Sequence, residues 1–274
     1  MGGRGGSMGG SHGMGGSHGM GGGGSAGGAA KAAAPKAPAQ TREQQLLAQI
    51  KGNPAAILKM SDQDAADTVT AIAKQRIRTD GTQNNTFIQR YLNAVGFSDS
   101  KPQLLNDSAY EKARMKAKET SMYHADKNFG GKTGDHYNKQ LQSGDTMFAS
   151  NGYYGGGTYW AWGSASASSG YGRYQCKGFL NGKARVITTD QLDKMGRSFS
   201  ARNPKTYAAL VKARAGYGGA DETLYSFLAA SHGYNVIQRG PRKRVGTYMV
   251  TLDRSVLTMS TKTIKNAQQG MTNW

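Results

Sequence analysis

Gly155-Gly-Gly-Thr-Tyr159-Trp-Ala-Trp-Gly-Ser-Ala-Ser-Ala-Ser-Ser-Gly-Tyr171-Gly172 is the stretch on which the fold of this chain turns. Three glycines lead into an aromatic run. A series of small residues then separates Tyr159 from a second tyrosine, Tyr171. Residues 157–162 read as a strand and residues 165–171 as a short helix. Glycine has no Cβ and lets the backbone approach a neighbour closely, so Gly155 and Gly156 are expected to let this loop lie against a bound molecule. Two tyrosines, one on a strand and one on the helix after it, can close on a flat ring from two sides.

Working outward, residues 121–125 read as a strand and residues 135–142 as a helix. Lys183-Ala-Arg-Val-Ile187 reads as a strand bounded by the turn dipeptide Asn181-Gly182. Helices are predicted near residues 190–196, 204–213 and 221–232, the last stopped at Gly233. Closing strands are predicted over 234–238, 247–252 and 256–259. Short strands interrupted irregularly by helices point to an α+β fold. No βαβ unit opens on a G-x-G-x-x-G turn, which excludes a Rossmann fold.

Upstream, the spacing of Leu46, Leu47 and Ile50 predicts a helix over 41–51. Ser61-Asp-Gln-Asp64 reads as a cap for a helix running to about Ile77, with Ala65, Val69, Ile72 and Ala73 inward. A third helix is expected over 84–95, with Phe87, Tyr91 and Leu92 as its apolar stripe and Gly96 as its stop. Asp107 is expected to cap a helix through Lys118. The chain therefore divides into a Gly/Ala-rich tail and linker (1–40), a helical region (41–106) that reads as a docking or scaffolding appendage, and an α+β domain (107–274).

The tail repeats Met-Gly-Gly-Ser-His-Gly from Met8 and from Met14 and has almost no large apolar side chains. Such a segment cannot offset its ordering entropy and is expected to be disordered. His12 and His18 suit either weak metal binding or a plain solubilising tail; no metal site is expected elsewhere. The first residues hold no continuous apolar stretch, so they are not expected to act as a secretory signal, and no run of the sequence is long enough to span a bilayer. Cys176 is the only cysteine, so no internal disulfide forms. The net charge is +18. Residues 101–274 hold 25 basic against 11 acidic side chains, which puts +14 of that excess on the part of the chain that holds the motif. A surface of this sign favours anionic partners: nucleic acid, a dinucleotide or an acidic protein face. Arg239-Gly-Pro-Arg242-Lys243-Arg244 is the densest cluster, and reads as a phosphate contact or a solvated loop.

Tyr123-His124-Ala125, followed by Gly157-Thr-Tyr159-Trp-Ala and Tyr171, resembles the ADP-ribosyltransferase fold, in the branch that holds diphtheria toxin and the poly-ADP-ribose polymerases. The likeness covers roughly residues 118–260 and also resembles transferase-like domains attached to phage virion proteins. It implies a split β-sheet and NAD as substrate. His124 would bond an NAD ribose hydroxyl, the Ala125 backbone would pair with the nicotinamide amide, and Tyr159 and Tyr171 would sandwich the ring. Gly157 opens the tyrosine strand of the motif. The family's catalytic Glu falls on Thr247, which carries no charge. Asp221 and Glu222 are the nearest acidic candidates, and also suit a favourable charge at a helix N-terminus.

The resemblance implies a mono-ADP-ribosyltransferase acting on a protein or nucleic-acid acceptor, in a phage virion or a host cytoplasm, with a phage capsid or host component as possible partner. Two alternatives stand beside it: an inactive virion component that keeps the fold, and a basic nucleic-acid-binding module.

Overall fold

The structure, a computed structural model, describes residues 39–75, 86–97, 100–126, 134–143, 156–169, 172, 174–214, 220–240 and 245–265. The expected disordered tail lies outside the described residues except for positions 39 and 40. Gly155, Tyr171 and the Arg242-Lys243-Arg244 cluster also lie outside them. Residues 40–274 group as one compact unit.

Helices α1 (Arg42–Ile50), α2 (Asp62–Lys74) and α3 (Phe87–Ala94) open the chain, with a 3₁₀ turn over Pro54–Lys59. Thr41 and Gln44 form a capping box on α1, as Thr86 and Gln89 do on α3, and Ser61 accepts from the Asp64 N–H on α2. Each cap satisfies N–H groups that the helix itself leaves unpaired. The rest of the chain runs β1 (Gln103–Leu105), α4 (Asp107–Ala117), β2 (Met122–Asp126), α5 (Gly134–Ser143), β3 (Thr158–Trp162), α6 (Ala165–Ser169), β4 (Tyr174–Leu180) and β5 (Val186–Thr188). It continues with α7 (Thr189–Arg202), α8 (Pro204–Ala213), α9 (Ala220–Ser231), β6 (Val236–Gln238), β7 (Tyr248–Thr251), β8 (Leu257–Ser260) and β9 (Ile264–Lys265). The fold is α+β.

The strands form one nine-stranded sheet in the order β1-β8-β4-β2-β3-β7-β6-β5, with β9 on β4. The pairs β1–β8 and β5–β6 are parallel and the rest antiparallel. Alternate residues face opposite sides of a strand, so the register sorts the core into two. Trp160, Met249, Met122 and Cys176 lie on one face, in a cluster that Leu141 of α5 joins. Tyr159, Val250, Ile237 and Ile187 lie on the other, under α1–α3 and α7–α9.

The helices of 41–106 are part of this second core and not a region apart. Ile50, Val69, Ile72, Phe87 and Tyr91 are buried in one cluster with Leu210, Phe227 and Leu228. The Tyr91 hydroxyl is 2.8 Å from the Ser231 hydroxyl at full burial. Asp62, at the start of α2, accepts from the Lys205 and Thr206 N–H groups at 3.0 and 2.9 Å, and so caps α8 from a distant part of the chain. Desolvation raises the Asp62 carboxyl, but the bonds from Thr206 and Lys205 outweigh it and hold the group below its ordinary range.

Two sequence expectations are corrected. Asn106, not Asp107, caps α4, its side chain accepting from the Ala109 N–H at 2.9 Å. Asp107 instead binds Lys177 of β4 at 2.6 Å, and Glu111 takes the same ammonium at 2.7 Å. Strand β4 itself was not expected. Tyr-Gln-Cys-Lys-Gly-Phe-Leu breaks polar/apolar alternation because the strand is central and covered on both faces, with Lys177 neutralised by α4.

Candidate functional site

Strands β2 and β3 are five residues each, yet they share only two ladder pairs, Met122↔Trp162 and Tyr123↔Ala161. Beyond Tyr123 the ladder between them stops, leaving an opening in the backbone hydrogen bonding. The His124 ring occupies the start of that opening. Its Nδ1 lies 2.6 Å from the Tyr159 carbonyl. A carbonyl oxygen only accepts, so Nδ1 carries the proton and donates, and Nε2 of the neutral ring is an acceptor. The ring is 7% exposed and packs against Trp160, centroid to centroid 5.4 Å.

The neighbouring residue presents its backbone to the same opening. Gly163 N–H donates to the Ser121 carbonyl. On an antiparallel strand alternate residues direct their polar groups to the same neighbour, so Ser121, Tyr123 and Ala125 all point theirs toward β3. Ala125 does so one step past the last ladder pair, where the Tyr159 carbonyl is already taken by His124. On its other side β2 remains paired through Asp126 to β4.

Tyr159 and His124 therefore meet through the tyrosine backbone. The register puts the Tyr159 ring on the opposite face of the sheet from the His124 ring, half-buried and edge-on to Tyr248 at 6.5 Å. Ala125 is on the Tyr159 face. Gly157 is buried at the head of β3. A Cβ there would fall 2.6 Å from Val250 Cγ1 and 2.7 Å from the Thr251 carbonyl. At Gly156 it would fall 2.5 Å from Ile88 Cγ2. These two glycines are required by the approach of β7 and α3, which supplies a packing reason for them that the sequence reading did not contain.

Asp221 and Glu222 stand in the first turn of α9. Four residues further along, Ser226 donates to the Gly156 carbonyl at 2.9 Å, so the helix passes the head of β3. At 1.5 Å per residue, Glu222 lies ~6 Å and the start of the helix ~9 Å along the axis from that contact. Thr247 is half-buried immediately before β7, its carbonyl accepting from the Trp162 N–H at 2.9 Å. Trp160 is fully buried, with Nε1 donating to Thr251 Oγ1 at 3.1 Å, and Ser164 caps α6 through the Ala167 N–H.

Two buried amides escaped the sequence reading. Gln175 and Asn138 are both 0% exposed; the Gln175 Oε1 and both amide atoms of Asn138 lack a hydrogen-bond partner. A lone Gln or Asn between apolar residues gives no sign of this in the sequence. Among the described residues, no group of three or more His, Cys, Asp or Glu side chains is placed to hold a metal, and no helix is long and apolar enough to cross a membrane.

No family model and no curated protein matches the chain. Among solved structures, the crystal structure of an anti-CRISPR protein is similar over 53% of this chain and 96% of its own, at 13% identity and a TM-score of 0.29. A likeness of that size carries no argument about fold or function.

Proposed function

We propose that the chain binds NAD at the opening between β2 and β3 and transfers its ADP-ribose to a protein or nucleic-acid acceptor, in an ADP-ribosyltransferase-like domain. The observation that carries this reading is the gap in the β2–β3 ladder at His124, Ala125 and Tyr159. The His124–Tyr159 bond sets the imidazole tautomer, so that Nε2 accepts from a ribose hydroxyl. The Ala125 N–H and C=O face the opening, as pairing with a carboxamide requires. The Tyr159 ring stands on the Ala125 face, as stacking on the attached pyridinium requires.

In the transfer, the bond from ribose C1′ to the nicotinamide nitrogen breaks and its electron pair leaves with nicotinamide. The acceptor atom bonds to C1′ and releases its proton. The ribose passes through an oxocarbenium-like state that a nearby carboxylate stabilises. Thr247 supplies no such charge. Asp221 and Glu222, in the first turn of α9, are the acidic residues we assign to that role. Exposed Lys194, Arg197, Lys205 and Lys212 on α7 and α8 suit an anionic acceptor.

Thr247 favours a second reading, in which NAD binds without transfer. One pair of measurements decides between them. Calorimetry with NAD is expected to show binding to the wild type that His124→Ala weakens, and label from NAD is expected to appear on an acceptor in cell lysate. Binding without label leaves the second reading standing. Absence of NAD binding removes both.

A further inference from the structure

Gln175 stands directly across from Ala125 in the β2–β4 register. Cross-strand partners project to the same face, so its side chain stands beside Ala125 on the face of Tyr159. Gln175 Nε2 donates to the Ala165 carbonyl at 2.8 Å, at the start of α6. That carbonyl only accepts, which fixes which end of the amide is nitrogen. Oε1 is consequently left buried without a donor. A buried unpaired acceptor destabilises a fold, and an apolar side chain of the same size would avoid it. A donor brought by a ligand would satisfy it.

We infer that Gln175 Oε1 accepts a hydrogen bond from the carboxamide of NAD, and so selects the amide form of the dinucleotide over its acid. The inference rests on the NAD reading above. A carboxamide has one acceptor oxygen and two N–H donors. The Ala125 N–H donates to the oxygen and the Ala125 carbonyl takes one N–H. The second N–H needs another acceptor on the same face, and Gln175 Oε1 is the buried one beside Ala125. A carboxylate in the same place brings no donor and sets negative charge against Oε1.

The test is calorimetry on the full chain with NAD, with nicotinic acid adenine dinucleotide, and with 3-acetylpyridine adenine dinucleotide, whose methyl ketone keeps the oxygen and lacks the N–H groups. The wild type is expected to bind NAD about tenfold more tightly than either analogue, the scale of one or two lost hydrogen bonds. In Gln175→Met the preference for NAD over the acid is expected to shrink to about threefold or less, through weaker NAD binding. A displaced α6 would weaken all three ligands alike, so an unchanged ratio in Gln175→Met overturns the inference. Equal binding of NAD and the acetylpyridine analogue by the wild type overturns it without any variant. If the wild type binds none of the three, the NAD reading itself fails and the inference falls with it.

Discussion

Gly156→Ala puts the role of the glycines to a quantitative test. The new Cβ would lie 2.5 Å from Ile88 Cγ2 and 2.9 Å from Ile88 Cβ, against the ~3.5–4.0 Å at which carbon atoms rest. One side or the other must move by about 1 Å. Neither is free to do so: Ile88 is 1% exposed inside α3, and the Gly156 carbonyl is tied to Ser226 of α9. Overpacking of this kind costs about 1–3 kcal/mol. Against it stands the ~0.4–1 kcal/mol that Gly→Ala gains from a less flexible unfolded chain, available because Gly156 is not at positive φ. The clash wins, and a net loss of about 0.5–2 kcal/mol is expected. Ile88→Ala alone leaves a cavity and costs about 2–5 kcal/mol. In the double variant the alanine methyl enters that cavity, so the pair should be less destabilised than the two single effects added, by about 0.5–3 kcal/mol. Urea unfolding of the four proteins measures this through the midpoint at constant m. Additivity within ~0.5 kcal/mol would refute the packing account. If Gly156→Ala instead left stability intact and weakened NAD binding, the glycine would be there for the ligand.

Other outcomes follow from the same geometry. His124→Phe keeps the contact with Trp160 but loses the bond to the Tyr159 carbonyl, and calorimetry should show NAD binding lost while thermal unfolding falls by no more than the ~1–3 kcal/mol of an unpaired carbonyl. Asn138→Leu removes two buried, unpartnered amide atoms, so Tm should rise, by roughly 2–4 °C for each kcal/mol recovered. Lys177→Met leaves Asp107 and Glu111 facing one another, and the loss at pH 7 should sit at or below the low end of the roughly 3–5 kcal/mol seen for buried pairs, because both carboxylates are more than a third exposed. The bond from Lys177 holds both carboxyls below their ordinary range. Their contribution is therefore full above the ordinary carboxylate pKa values of about 3.9–4.3 and is lost as pH falls through the lower folded values. Acid titrations of stability should show a smaller loss in Lys177→Met than in the wild type, the remainder coming from Arg114 beside Glu111 and from Ser260 and Lys262 beside Asp107.

What the sequence by itself determined is local. Caps and periodicity were enough to place α1, α2, α3, α8 and α9 to within a few residues, because an N-cap hydrogen bond and an amphipathic stripe are formed by residues three or four apart. The strand at 158–162 and the irregular alternation of strands and helices likewise gave the α+β class. The motif residues His124, Ala125 and Tyr159 were legible as chemistry. How they meet was not, since a hydrogen bond from an imidazole to the backbone of a residue 35 positions away depends on where the β2–β3 ladder stops. Asp62 capping α8 and Lys177 between two carboxylates of α4 are decided in the same way, by surfaces brought together from far along the chain. Strand β4 was hidden because both of its faces are covered and its polar residues find partners only after folding. Gln175 became a candidate for the same reason. Its unpaired oxygen exists only once burial has excluded water and Ala165 has claimed the other end of the amide.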